Sequence, residues 1–390
     1  MGQNLGMAKL GAPRRVASPD ADAPVTMLEL FFDLVFVFTV TQLTTVVTHT
    51  HTALGFVEAA ALLFVIWWMY DAYCWLSNNV GPTSTSTRLP MLFAMAAFLV
   101  LAIAVPAAYT DDRWLFAVAY LAIVVVHGVS FLRSSLGGSA RAMLSIAPIN
   151  LGGTAMLFVA AALPRDLRWI GWLAAVAISV GAMAARRESG FTLRPVHFAE
   201  RHRLLLIIAL GESVIAIGVS AEGHISETRY LVAVLLAMLL IALFWWAHFA
   251  ADEHATQALL RIERDEPSRL ARVALFAFSI SYLILVAGLI LVASGLHEVV
   301  HDPGHHLAWL PAGLLGVGTA IYLVGNAVHL WLLDLSSGWA LKLAAVASLG
   351  TIPIGHEMSG DVQVVALCLV LVAALAVSSR GASHPMQQVA

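Results

Sequence analysis

The chain has 390 residues, of which 60% are hydrophobic and only 12% are charged, and its mean hydropathy is +0.85. A soluble domain carries roughly 25% charged side chains, so this composition excludes an ordinary soluble globular protein and predicts one that lies in a lipid bilayer. The formal net charge of −3 and the pI near 6.6 exclude a global basic field, and we therefore expect no nucleic-acid partner.

Twelve stretches of the chain are long and apolar enough to be membrane spans, since a helix needs about 20 mostly apolar residues to cross the hydrocarbon core. The predicted spans are residues 27–48, 53–75, 89–108, 114–134, 141–163, 168–184, 203–220, 229–250, 269–293, 307–333, 338–355 and 361–378. The connections between them are short and polar. The predicted fold class is therefore all-α, a polytopic integral membrane protein of about twelve transmembrane helices.

Lysine and arginine mark the side on which each connection lies, because cytoplasmic loops retain them. With the N-terminus inside, seventeen of the 21 basic residues are cytoplasmic, whereas Arg113, Arg165, Arg168 and Arg229 are outside. An odd number of spans would destroy this separation, so an even number is favoured. We expect a multi-pass protein of the cell inner (plasma) membrane with both termini in the cytoplasm.

The spans fall into two sets of six. We expect a cytoplasmic tail at 1–24, a six-helix repeat at 25–185, a basic linker at 186–202, a second six-helix repeat at 203–378 and a tail at 379–390. Uncommon residues recur in matching places: Tyr120 and His127 against Tyr322 and His329, Trp67-Trp68 against Trp245-Trp246, and Glu29 against Glu200. Six spans per set preserve orientation, so the repeats would be parallel. Chance similarity between apolar helices is the alternative.

Glu212 is the most prominent candidate for function, because an ionised side chain deep in the bilayer costs roughly 2.5 to 3.5 kcal/mol. It lies in the middle of the seventh span with apolar residues on both sides. Gly211 beside it is expected to admit a neighbouring helix. The alternative is a protonated or hydrogen-bonded glutamate that locks two helices together.

Glu29 and Asp33 are four residues apart, which places both carboxyl groups on one face of the first span. Two like charges there would repel, so we expect them to share a proton, a cation or an arginine such as Arg201 or Arg203. Asp71 in the second span could join them. For Asp71, however, an acid that snorkels to the interface is the favoured interpretation.

Histidines suggest two further hypotheses. His127 and His329 occupy matching places in the proposed repeats and could relay protons, although hydrogen-bonded packing is the commoner role of a lone histidine in a helix. His297, Glu298 and His301 fit the H-E-x-x-H zinc pattern. Gly295 and Pro303 bracket this segment, so we expect an external loop with little helix, which makes it at most a weak metal site.

Two long motifs carry a family resemblance: Glu29-Leu-Phe-Phe-Asp33 with the continuation to Gln42, and Glu200-Arg201 with the continuation to Glu212-Ser213. Both resemble the bacterial low temperature requirement A (LtrA) family, and the likeness extends over most of residues 25–378. The resemblance implies a polytopic membrane protein named for growth in the cold, without an agreed biochemical activity. The family positions carried over are Glu29, Phe32, Asp33, Gln42, Glu200, Arg201, Gly211 and Glu212.

The leading functional hypothesis is a transporter or channel for a small solute or cation, in which intramembrane carboxylates line a path between the two bundles. The residues assigned to this path are Glu29, Asp33, Asp71, Glu200, Glu212, His127 and His329. The alternatives are a structural or stress-adaptation role and a membrane enzyme that uses the external histidines. The sequence has no P-loop or dinucleotide fingerprint, which argues against a self-contained ATP motor. We expect no cofactor.

Overall fold

Fifteen α-helices form the part of the chain that the computed structural model describes, residues 24–133, 137–185, 193–224 and 226–382. In the first half they are α1 (Met27–Thr48), α2 (Ala53–Asn79), α3 (Thr85–Ala104), α4 (Arg113–Leu132), α5 (Gly137–Ala162) and α6 (Arg168–Ala185). In the second half they are α7 (Pro195–Ser220), α8 (Thr228–Phe249), α9 (Asp252–Asp265), α10 (Pro267–Ala274), α11 (Ser281–His301), α12 (Trp309–Leu332), α13 (Trp339–Leu349), α14 (Ile352–Glu357) and α15 (Gly360–Ala382).

The prediction of an all-α polytopic membrane protein is confirmed. Within the described ranges there is no strand, and 11 helical segments are long and apolar enough to cross a membrane. The predicted span 338–355 is an exception, because it is divided into α13 and α14 by a break at Gly350 and Thr351. The predicted span 269–293 is also not one regular helix, because α10 and α11 are joined there by the π-helical segment Leu275–Ile280. Each of the other predicted spans corresponds to one α-helix.

Two helices extend further than the apolar windows indicate. The seventh span was expected to begin at residue 203, but α7 begins at Pro195, so residues 195–202 of the expected linker are helical. Proline suits this position because the first helical turn needs no intrahelical N–H bond there. Residues 186–192 of that linker lie outside the described residues. Helix α11 likewise continues to His301, past the expected end at 293.

The helices of each half pack in a definite order. In the first half α1 packs on α2 and α3, α4 packs on α2, α3 and α5, and α6 packs on α2 and α5. In the second half α7 packs on α8 and α11, α12 packs on α8, α11 and α13, and α15 packs on α8, α13 and α14. The halves meet where α1 contacts α7 and α11, and where α2 contacts α7. This junction contains the candidate site.

Helices α11 and α12 pack backbone against backbone at Gly288 and Gly318. A Cβ atom added to Gly288 would lie 2.7 Å from the backbone nitrogen of Tyr322 and 2.8 Å from the carbonyl oxygen of Gly318. Lipid offers apolar side chains as good an environment as a neighbouring helix, so close backbone packing at small residues is a major source of helix association in membranes. The two glycines therefore set the distance between these helices.

A π-helical segment, Leu275–Ile280, joins α10 to α11. A π-helical insertion rotates the residues that follow it relative to a regular α-helix, and such segments are frequent at functional sites. Here it carries the buried Ser279, which faces Asp71 of α2. The irregular backbone thus contributes directly to the junction between the two halves.

Candidate functional site

The first turn of α1 is built around Glu29. Thr26 is the N-cap, and its hydroxyl accepts a bond from the backbone N–H of Glu29, while the Glu29 carboxylate accepts the N–H of Thr26 at 2.8 Å. This capping box satisfies two backbone donors that the helix itself leaves unpaired. It also fixes the Glu29 carboxylate beside α7, where His197 and Arg201 contact it.

Arg201 of α7 holds both carboxyl groups of α1. Its Nη2 donates to Asp33 Oδ1 at 2.5 Å, and its Nη1 lies 3.4 Å from Glu29 Oε1. The three side chains are completely buried. Of the two arginines expected as partners, Arg201 therefore contacts both acids. Two acids four residues apart on α1 face one guanidinium, which relieves the repulsion between them.

Helix α2 completes this cluster with two hydroxyl groups. Tyr70 donates to Asp33 Oδ1 at 2.9 Å, and Arg201 Nη1 donates to the hydroxyl of Ser77 at 2.6 Å. Within the described ranges, Asp33 Oδ2 and Arg201 Nε are buried without a hydrogen-bond partner. The Arg201 cluster, which we define as Glu29, Asp33, Tyr70, Ser77 and Arg201, thus keeps one unused acceptor and one unused donor in its interior.

His197, one turn before Arg201 on α7, also contacts Glu29. Its Nε2 lies 3.2 Å from Glu29 Oε1, and its Nδ1 lies 3.4 Å from Asn78 Nδ2. The backbone of Arg194 fixes the Asn78 amide, because Oδ1 accepts the Arg194 N–H at 2.9 Å and Nδ2 donates to the Arg194 carbonyl at 3.1 Å. Partial burial of Arg194 lowers the pKa of its guanidinium. The negative charge of Glu29 acts in the opposite direction and raises this pKa.

Asp71 is the centre of a second set of polar contacts between α2 and α7, next to the Arg201 cluster. Ser279 donates to Asp71 Oδ1 at 2.7 Å, and His202 Nε2 lies 3.4 Å from the same oxygen. Asp71 is 8% exposed. The expectation that it snorkels is therefore wrong, because a polar pocket formed by α7 and the π-helical segment satisfies its carboxyl group inside the bundle. We call Asp71, His202 and Ser279 the Asp71 group.

The two remaining acids assigned to the path lie apart from both groups. Glu200, half-buried, accepts a hydrogen bond from the backbone of Val25 at 3.3 Å. Glu212 is half-buried and has no hydrogen bond or ion pair in the described part of the chain. It follows Arg201 by 11 residues, which is three helical turns, so both lie on one face of α7 about 16 Å apart.

Gly211 does not admit a neighbouring helix as expected. It is exposed, and a Cβ atom added to it would meet nothing within 4 Å. The seventh helix instead packs with the opposite face, which includes the buried Ser213 and Ile217. Glu212 therefore lies at the edge of the buried face, beside an open side of α7.

His127 and His329 are both buried and both contact a backbone carbonyl of another element. His127 Nε2 lies 3.0 Å from the carbonyl of Ala72, and His329 Nδ1 lies 2.6 Å from that of Ala277. His329 is also near His248, with ring centroids 5.3 Å apart. Each imidazole thus joins two elements within its own half, and the structure does not bring the two together.

The H-E-x-x-H residues are helical, not part of a loop. His297, Glu298 and His301 form the last turn of α11, with the two imidazole centroids 6.0 Å apart. His297 Nδ1 bonds to the hydroxyl of Ser220 at 2.8 Å. Residues on α7 and α12 that pack beside α11 extend this helix past Gly295. Across the described ranges, no three His, Cys, Asp or Glu residues are placed to hold a metal ion.

A second four-residue spacing, on α7, also indicates the Arg201 cluster. His197 and Arg201 are four residues apart on α7, as Glu29 and Asp33 are on α1, so two basic groups face two acidic ones across parallel helices. Tyr70, Ser77 and His202 carry no comparable pattern. Their roles depend on how α2 and the π-helical segment are rotated, which local sequence does not determine.

Comparison with known proteins agrees with this architecture. Residues 24–377 match the family model described as bacterial low temperature requirement A protein. The chain is also 27% identical over 279 residues to an uncharacterized protein of Rhizobium meliloti (strain 1021), covering 68% of this chain and 67% of the relative. The family match includes every residue of the Arg201 cluster and of the Asp71 group. The protein is therefore a member of the bacterial LtrA family.

Proposed function

We propose that this protein transports a small solute or cation across the membrane. We also propose that the charged side chains of the Arg201 cluster form a barrier that closes the transport path. The observation that carries the proposal is the enclosure of three carboxyl groups, Glu29, Asp33 and Asp71, at the junction of the two halves. Replacing buried ion pairs by apolar side chains is often neutral or stabilising, so bundle stability alone does not require these charges.

The balance of charge at the junction favours a cation. Helices α1, α2 and α7 carry six acids, Glu29, Asp33, Glu58, Asp71, Glu200 and Glu212, against two arginines, Arg201 and Arg203. Acidic groups within spanning helices commonly mark ion pathways. Glu212 supplies an unpaired carboxyl group on the same face of α7 as Arg201, and so extends the acidic path toward the opposite end of the helix.

The two-repeat organisation is part of this proposal. Both halves use the same order of helix neighbours when α7, α8, α11, α12, α13–α14 and α15 are matched to α1–α6. Tyr120 donates to the carbonyl of Val65, and the matching Tyr322 donates to that of Phe244, in each case from the fourth helix to the second. Parallel repeats that meet at α1 and α7 would move against each other around a site at their interface.

We also propose that the arginine-rich end of the bundle faces the cytoplasm of a bacterial inner membrane. Arg88, Arg194, Arg261, Arg264 and Arg269 lie at the end where α1, α3 and α7 begin. Retention of basic residues in cytoplasmic loops supports this orientation. The Arg201 cluster then lies near the cytoplasmic side and Glu212 lies nearer the outside. The lipid bilayer is the only partner that the proposal requires.

The test is a flux measurement on the full chain in proteoliposomes, with rubidium and sodium ions as tracers. Glu212→Gln removes a charge from a half-buried site, so it leaves folding intact and is expected to reduce tracer uptake strongly. Asp33→Asn removes one of the two carboxylates that contact Arg201 and is expected to alter uptake as well. Glu263→Gln, at an exposed position of α9, is the matched control and leaves uptake unchanged. Uptake equal to wild type in both site variants would rule out this path.

A second candidate function is structural, and the complete burial of Glu29, Asp33 and Arg201 favours it. In that case the cluster only fixes α1 and α2 against α7. Asp33→Asn would then lower the unfolding temperature in detergent, while tracer uptake would equal that of empty liposomes for wild type and variants alike. The transport proposal expects wild-type uptake above this background.

A further inference from the structure

We infer that Asp71 and His202 form a proton-binding site, and that the proton bound there is exchanged for the transported cation. The inference rests on the proposed transport function and adds the coupling ion and the residues that bind it. It is carried by the hydrogen-bond geometry around His202 and by the charge of the neighbouring Arg201 cluster.

The bonds of His202 leave one proton position between its ring and Asp71. His202 Nδ1 lies 2.9 Å from the carbonyl oxygen of Phe198, which only accepts, so Nδ1 carries a hydrogen. His202 Nε2 faces Asp71 Oδ1 at 3.4 Å. Without a proton between them, two lone pairs would face each other. The pair therefore holds one proton, either on His202 as an imidazolium or on Asp71 as a carboxylic acid.

Two other buried histidines are neutral by the same reasoning. Asn78 donates to His197 Nδ1, so the hydrogen of His197 is on Nε2 and points to Glu29. Asn326 donates its amide to the carbonyl of Tyr322, so its Oδ1 accepts from His248 Nδ1 at 2.7 Å. His248 Nε2 then accepts from the Tyr282 hydroxyl at 2.9 Å. Neither ring needs an additional proton.

The Arg201 cluster provides the charge that this proton balances. Glu29 and Asp33 carry two negative charges against one on Arg201, with a neutral His197, so the cluster is formally −1. Tyr70 and Asp71 are consecutive on α2, as Arg201 and His202 are on α7, so both groups lie at the same level. The titratable groups next to the pair are Tyr70, Cys74, Arg201 and Tyr282. Glu29, Asp33 and His197 lie beyond Arg201 in its cluster, and His248 and His329 lie beyond Tyr282.

Exchange follows from competition for the same negative charge. A cation that enters the Arg201 cluster, where Asp33 Oδ2 is an unused acceptor, brings the cluster to neutrality and removes the charge that favours the bound proton. The proton then leaves through Asp71, whose side chain is 12% exposed, whereas the side chains of Glu29 and Asp33 are fully enclosed. One cation moves in one direction for one proton in the other.

The proton site is tested first without flux. In protein labelled with ¹⁵N-histidine, the His202 resonances, assigned by comparison with His202→Gln, are followed across pH. We expect them to titrate in wild type and to remain those of a neutral ring in Asp71→Asn, because an asparagine amide donates to Nε2 permanently. The spectrum of His248 stays neutral in both proteins and is the internal control. Identical titration of His202 in wild type and Asp71→Asn would overturn the inference.

Coupling is then measured in proteoliposomes that contain a trapped pH indicator. A potassium or sodium gradient is expected to move protons in the opposite direction, and Asp71→Asn and His202→Gln are expected to reduce this movement to that of protein-free liposomes. His248→Gln, whose ring lies outside the pair, retains it. Tracer uptake without any proton movement would refute exchange and leave transport standing. No tracer uptake at all would refute the proposed function itself.

Discussion

Arg201 Nη2 donates to Asp33 Oδ1 at 2.5 Å, and neither side chain is exposed. Removing one member of a buried ion pair leaves an uncompensated charge and typically costs about 3–5 kcal/mol. We therefore expect Arg201→Met to lower the unfolding temperature in detergent markedly. In the double variant Arg201→Met with Asp33→Asn, the loss is expected to be smaller than the sum of the two single losses, by about 0.5–3 kcal/mol. Thermal unfolding of the four proteins measures this difference.

An exposed ion pair provides the control. Arg264 and Asp265 bond to each other on α9, with side chains 73% and 59% exposed. Surface pairs contribute little because water and salt screen them. Arg264→Met is therefore expected to leave the unfolding temperature unchanged. Additive losses at Arg201 and Asp33 would contradict the interpretation of these residues as one coupled pair.

Glycines on two helix faces give a second prediction. Gly318 faces α11 so closely that an added Cβ atom would lie 2.8 Å from the Val292 backbone nitrogen, whereas at Gly218 it would meet nothing within 4 Å. Overpacking of this kind typically costs about 1–3 kcal/mol. We expect Gly318→Ala to lower the unfolding temperature in detergent and Gly218→Ala not to lower it. Equal effects at the two positions would mean that α11 and α12 are not held at this separation.

The histidine motif gives a third prediction, on metal content. His297 bonds to Ser220, and the described residues provide no third ligand group near His301. A structural or catalytic zinc site needs at least three protein ligands. We expect purified protein, after dialysis, to contain far less than one zinc per chain by elemental analysis. One zinc per chain that disappears in His297→Ala with His301→Ala would restore the enzyme hypothesis.

The sequence predicted the membrane helices well because hydropathy alone decides whether a segment enters lipid. It did not predict the break between α13 and α14, since a hydropathy window averages over Gly350 and Thr351. The start of α7 was missed for a related reason. Arg201, His202 and Arg203 lower the mean hydropathy of any window that contains them. Arg201 was also counted among the cytoplasmic basic residues, although its side chain is fully buried.

The candidate site was predicted in part. The four-residue spacing of Glu29 and Asp33 correctly indicated a shared basic partner, because that spacing is local. The partner of Asp71 was not predictable in the same way. His202 and Ser279 reach it from α7 and from the π-helical segment, so their proximity depends on the rotation of three elements distant in sequence. The open side beside Gly211 likewise depends on which face of α7 packs.

A fourth prediction compares Tyr120 with Tyr322, which the two-repeat proposal places at equivalent positions. Each hydroxyl donates to a carbonyl of the second helix in its own half, Val65 at 3.3 Å and Phe244 at 2.9 Å. Removing one such bond typically costs about 0.5–1.5 kcal/mol. We expect Tyr120→Phe and Tyr322→Phe each to lower the unfolding temperature in detergent by a similar amount. Since the bonds lie in different halves and share no partner, the losses should add in the double variant. A loss at one tyrosine with none at the other would contradict their equivalence, because a phenylalanine ring fills the same space and differs only in the missing hydroxyl.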